Sequence, residues 1–86
     1  MRVIIKKHAY ERYAEYKGPI KITKLSSMVR RHLHAALRQG VSLENAAIQL
    51  EIFHDLNAVV VPGNGCWDVV TFYATIPEKV DVAINE

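Results

Sequence analysis

The sequence predicts an α+β fold, with a short N-terminal strand and two helices packed on one face of a three- to four-stranded, mainly antiparallel sheet. Two observations carry this. Residues with helical periodicity occupy the first half of the chain, and β-prone runs separated by turn residues occupy the second. Helices gathered before strands, rather than alternating with them, indicate helices segregated to one side of an antiparallel sheet. At 86 residues and 50% hydrophobic, the chain has room for a single domain, 1–86, with one core.

Val3-Ile4-Ile5 forms the first β-prone run, and Lys6-Lys7 ends it. From His8 to about Tyr16 the pattern is helical: Ala9, Tyr13 and Tyr16 share one stripe, and His8, Glu11, Arg12 and Glu15 gather on the other side. Gly18-Pro19 stops this helix. The three tyrosines at positions 10, 13 and 16 are expected to pack at the domain edge with hydroxyls outward.

A second helix, capped by Thr23 or Ser26, runs along Leu25, Met28, Val29, Leu33, Ala36 and Leu37 until Gly40 ends it. Arg30, His34 and Arg38, spaced by four, form a basic ridge on its outer face. His32 falls within the apolar stripe and is expected to be a packed, hydrogen-bonded histidine. His32 and His34 point to different sides of the helix, a poor arrangement for a metal pair.

Ser42 to Ala46 suits a helical turn, and Ala47 to Phe53 a strand. His54 to Asn57 supplies turn residues, and Ala58 to Val61 reads as a strand buried on both sides. Pro62-Gly-Asn-Gly65 connects it to a strand from Cys66 to Ala74, in which Thr71 and Tyr73 share a side. Val80, Val82 and Ile84 alternate with Asp81, Ala83 and Asn85 as an edge strand.

Charge is unevenly spread. Residues 1–40 hold ten of the eleven Lys and Arg residues and two acidic ones, whereas residues 41–86 hold one basic and seven acidic residues. The net charge of +2 is too small to be a nucleic-acid signature, but this distribution allows a basic face built by the N-terminal half. The lone Cys66 rules out an intrachain disulfide and suits a reducing cytoplasm. No apolar run is long enough for a membrane span, so a soluble, cytoplasmic protein is expected.

His8 and Arg12, one helical turn apart, suit metal-independent RNA cleavage. Attack by a ribose 2′-hydroxyl on the adjacent phosphate needs proton transfer and cationic support for charge building on phosphorus. Histidine titrates near neutrality, and arginine offers a fork of donors to phosphate oxygens. Thr71 can donate a hydroxyl hydrogen bond, and Tyr73 can bind phosphate or stack on a base.

The β-leaning start, the helix opening with His8-Ala9-x-x-Arg12, the second amphipathic helix and the Val69-Val70-Thr71 strand within Trp67-Asp-Val-Val-Thr-Phe-Tyr-Ala74 resemble the barnase, EndoU, colicin and RelE-like ribonuclease superfamily. The nearer likeness is to its small phage- and toxin-associated members, and it extends from residue 1 to about residue 74. The resemblance implies a two-helix, four-stranded fold with His8 as general acid or base, Arg12 as a phosphate-binding cation and Thr71 as a phosphate-contacting hydroxyl. Substrate binding would add Lys7, Arg30 and Tyr73. No metal or other cofactor is expected. The expected partner is RNA. A non-catalytic interaction or oligomerisation module, binding a protein partner or a second copy on the same scaffold, is the alternative. A third reading has Arg30, His34 and Arg38 grip DNA.

Other motifs carry less. Gly63-Asn64-Gly65 lacks the lysine and hydroxyl residue that follow in a phosphate loop, and it sits between strands as a hairpin turn. Cys66 and Trp67 read as structural residues at the start of a strand.

Overall fold

A computed structural model describes residues 2–40 and 47–75. It is an α+β fold in the order β1 (Val3–Ile5), α1 (Lys7–Lys17), α2 (Ile22–Arg38), β2 (Ile48–Phe53), β3 (Leu56–Pro62) and β4 (Trp67–Ala74). The strands form one sheet ordered β1-β4-β3-β2. β2, β3 and β4 are antiparallel neighbours, whereas β1 runs parallel to β4, making the sheet mixed. The helical turn expected at Ser42–Ala46 and the edge strand expected at Val80–Ile84 lie outside the described residues.

Burial alternates along the strands because successive side chains point to opposite faces. On β2, Ile48, Leu50 and Ile52 are buried and Gln49, Glu51 and Phe53 are exposed. β3 repeats this: Leu56, Ala58 and Val60 are buried, while Asn57, Val59 and Val61 are only half-buried. Among the described residues, the apolar run from Ala58 to Val61 is therefore covered on one side, not two. β3 also starts earlier than the turn residues suggested, because His54-Asp55 alone makes the hairpin and Leu56 is already paired with Ala74.

On β4 the alternation breaks once. Val59 pairs with Thr71 and Val60 with Val69, so Val70 is an extra residue, a β-bulge. The bulge lets Val69 and Phe72, three apart, face the helices together. Both helices lie on that face. Ala9 and Tyr13 of α1 are buried there, with the Tyr13 ring edge-on to Phe72 at 5.3 Å between centroids. Leu25, Val29 and Leu33 of α2 complete the core, with Met28, Ala36 and Leu37 packed against it.

The helix ends have local causes. Gly18 follows α1 with φ of 89°, and Gly40 lies just beyond α2 with φ of 86°, a left-handed conformation that a side chain would strain. α2 begins at Ile22 after Lys21, with no side-chain cap. Thr23 thus sits in its first turn, and Ser26 is inside the helix, where it bonds elsewhere. Tyr16 also departs from expectation. It is exposed, and the buried residues of α1 are Ala9 and Tyr13 alone. The Tyr10 hydroxyl donates to the Ile20 carbonyl, tying the α1–α2 connection back onto α1.

At the C-terminal end of α1, Lys17 donates to both carboxylate oxygens of Asp55 at 3.0 and 3.2 Å and lies over the Phe53 ring. That hydrogen bonding holds the Asp55 carboxyl below its ordinary value of 3.8. A depressed folded value stabilises the fold above the unfolded pKa, and the contribution is lost as pH falls through the folded one. Urea unfolding midpoints followed from neutral pH to about pH 3 should therefore fall more for wild type than for Asp55→Asn. Coincident curves would contradict the linkage. Phe72→Ala should cost ~3–5 kcal/mol in the same assay, since it removes a fully buried ring and the partner of Tyr13.

Candidate anion-binding surface

The two-helix layer carries every Lys and Arg among the described residues except those of the N-terminal strand and its flanks, Arg2 and Lys6, and one in the α1–α2 connection, Lys21. β2, β3 and β4 contain none. The uncovered face of these strands is instead neutral to acidic, with Gln49, Glu51, Asn57, Asp68, Thr71 and Tyr73 among Val59 and Val61. A polyanion has its favourable surface on the helical side.

α1 projects Lys7, His8 and Arg12 from its outer side because Ala9 and Tyr13 face the sheet. Lys7 and His8 are exposed. Arg12 is half-buried and engaged: its guanidinium donates to the Glu15 carboxylate at 3.1 Å and to the Tyr16 hydroxyl, and lies 5.1 Å from the Tyr16 ring centre. Two of the donors a phosphate would use are thereby shared with neighbours. On α2 the ridge of Arg30, His34 and Arg38 is exposed, as its spacing predicts. His32 is half-buried, with Nδ1 2.9 Å from the Met28 carbonyl oxygen, so the proton sits on Nδ1 and donates along the helix.

Thr71 and Tyr73 share a face, but it is the face away from the helices. They flank Phe72, which packs on α1, and so their side chains project through the opposite side of the sheet. The structure does not bring Thr71 and Tyr73 together with His8 and Arg12. Thr71 donates to the neighbouring Phe72 carbonyl at 3.3 Å. The Tyr73 hydroxyl donates to Gln49 Oε1 at 2.6 Å and accepts from Asn57 Nδ2 at 3.1 Å, forming a polar row across three strands.

What the fold does bring together is Arg30 and Arg2. They line a groove of about 490 Å³ between the outer edge of β1 and the first turns of α2. Ile4, Ile22, Thr23 and Ser27 contribute its other walls. Ser26, also in the groove, donates to the Val3 carbonyl at 3.2 Å and fastens α2 to the strand. Sequence reasoning singled out Arg30 for its place in a helical ridge. Arg2 carried no signal, because its importance depends on which strand lies at the sheet edge.

Among the described residues, no three His, Cys, Asp or Glu side chains gather as a metal site, and no helix is long and apolar enough to cross a membrane. No family model, curated protein or solved structure matches this chain. Ser26→Ala would leave the Val3 carbonyl without its side-chain donor. Urea unfolding should show a loss of about 0.5–1.5 kcal/mol, and an unchanged midpoint would mean that the hydroxyl contributes nothing to docking α2 on β1.

Proposed function

We propose that this chain is a ribonuclease-like RNA-binding protein that holds the phosphate backbone on its helical layer. The observation that carries the reading is the segregation of charge: cations on the helices and beside β1, none on β2, β3 or β4. The resemblance of His8-Ala9-x-x-Arg12 to the ribonuclease superfamily supplies the second support. In this reading Lys7, Arg12 and Arg30 hold phosphates. His8, exposed on the same helix side as Arg12, is the group that transfers a proton where cleavage occurs. Thr71 and Tyr73, on the far side of the sheet, stay outside the shared site.

The salt bridge from Arg12 to Glu15 has a consequence for binding. A phosphate must compete with the Glu15 carboxylate for the guanidinium, so Glu15→Gln should tighten binding by freeing its donors. Fluorescence anisotropy with a single-stranded RNA pool in chelator should give a log–log salt slope near −0.7 for each phosphate neutralised. Lys7→Gln should reduce that slope by roughly this amount. His8→Ala should abolish cleavage in chelator while leaving the fold and binding in place. Failure to bind or cleave any RNA in the pool would sink the reading.

A non-catalytic interaction module is the second reading, favoured by the sheet face that no described element covers, which bears Val59 and Val61 beside the Tyr73, Gln49 and Asn57 row. Strictly monomeric sedimentation at high concentration, with no protein partner recovered, would count against it.

A further inference from the structure

We infer that the outer edge of β1, where it faces the first turns of α2, is a docking site for an extended acidic peptide that adds to the sheet as a further strand beside β1. The inference goes beyond RNA binding and shares only Arg30 with that reading. It starts from the backbone. The Trp67 amide donates to the Arg2 carbonyl at 2.8 Å, and the Lys6 amide donates to the Val69 carbonyl at 3.0 Å. In a parallel ladder this makes Arg2, Ile4 and Lys6 the residues whose main chain faces β4, so Val3 and Ile5 present theirs to the opposite side. The bond from Ser26 to the Val3 carbonyl agrees, since that oxygen is reached from the outer side. A peptide lying along β1 would meet the Val3 amide and both main-chain groups of Ile5 at strand spacing, the arrangement used in β-strand addition.

The groove walls fit such a segment. Its lining combines apolar Ile4 and Ile22 with the hydroxyls of Thr23 and Ser27, and Arg2 and Arg30 stand on it with no carboxylate among the lining residues. Arg2 shares the Ile4 side of the strand, turned away from the helices, whereas Arg30 comes from α2. Alternating side chains of an added strand would therefore find a guanidinium on either face, each able to take a carboxylate by two parallel hydrogen bonds.

Charge selects among the occupants. A second copy pairing antiparallel through β1, centred on Ile4, would set Arg2 of each chain against Lys6 of the other. Like charges directly opposite are destabilising, and charged residues on an exposed edge are a common defence against self-pairing. An acidic segment reverses that sign. A single-stranded nucleic acid could satisfy the arginines, but it has no row of donors and acceptors matched to Val3 and Ile5.

The test uses a short fluorescein-labelled peptide with blocked ends, alternating valine and glutamate, and its lysine counterpart. Anisotropy should show saturable binding of the glutamate peptide and at least about tenfold weaker binding of the lysine peptide, a difference of about 1.4 kcal/mol. Val3→Pro removes an outward amide while leaving the ladder to β4, so it should lose the peptide and keep RNA binding. Arg30→Glu, a change at an exposed position, should weaken the peptide by a similar factor without altering thermal unfolding. Amide NMR shifts should centre on Val3 and Ile5. The proposal is overturned if neither peptide binds at millimolar concentration or both bind equally. It is also overturned if the shifts fall on Ile48–Phe53 at the other edge, if self-association accounts for the signal, or if a single-stranded oligonucleotide perturbs Val3 and Ile5 in place of the peptide.

Discussion

The contact between Phe72 and Tyr13 joins the two layers where the sheet is most constrained. Phe72 lies on β4, which is paired on both sides, by β1 and by β3, and its ring is fully buried against α1. Placing it there requires the bulge at Val70, because an unbroken alternation from Val69 would turn Phe72 to the open face. With the bulge, Val69 supports the start of α1 and Phe72 its middle. Everything N-terminal then follows: α1 lies along β4, its outer side carries Lys7, His8 and Arg12, and the Tyr10 hydroxyl turns the chain into α2. Burial of Tyr13 also pushes its phenol pKa up, with Lys17 opposing, so the contact is built for the neutral side chain.

The separation of charge follows from the same architecture. Among the described residues the sheet is covered on one face, and on β2, β3 and β4 the other face is dressed with amides, hydroxyls and two carboxylates, Glu51 and Asp68, rather than cations. The helices solvate their outer sides with Lys, Arg and His. A phosphate backbone approaching the molecule is drawn to the helical side and has no electrostatic reason to visit Thr71 or Tyr73. The Tyr73 row is better understood as a cross-strand network that holds β2, β3 and β4 in register, since Gln49 and Asn57 already use its hydroxyl.

Among the described residues β1 and β2 are the outer strands of the sheet, and they differ. β2 is six residues long, with exposed Glu51 on its open side. β1 has only three residues, flanked by Arg2 and Lys6 and overhung by α2, which bonds to it through Ser26. Arg2, which with Lys6 discourages pairing of two copies of β1, also makes its groove receptive to carboxylates together with Arg30. Edge protection and partner choice thus share Arg2.

The elements themselves were legible in the sequence wherever a period was long enough to read. The Leu25, Val29, Leu33 stripe defined α2, Gly18 and Gly40 marked the helix ends, and the Pro62–Gly65 turn separated β3 from β4. Short-range pattern was less informative where pairing decides the outcome. Ala58–Val61 looked buried on both sides because its residues are all apolar, but among the described residues no second layer covers Val59 and Val61, which stay half-buried. The proposed meeting of His8 and Arg12 with Thr71 was not legible, because a single bulge determines which face each residue of β4 takes. Arg2 was invisible for the same kind of reason: a residue beside a three-residue strand gains a role only once that strand is an edge and α2 lies beside it. The sequence alone determined the helices, the strands and the concentration of cations in the first half of the chain, since these rest on local periodicity and composition. The tertiary structure decided which side chains share a surface, since strand order, parallel pairing of β1 and the bulge in β4 are set by contacts between residues far apart in the chain.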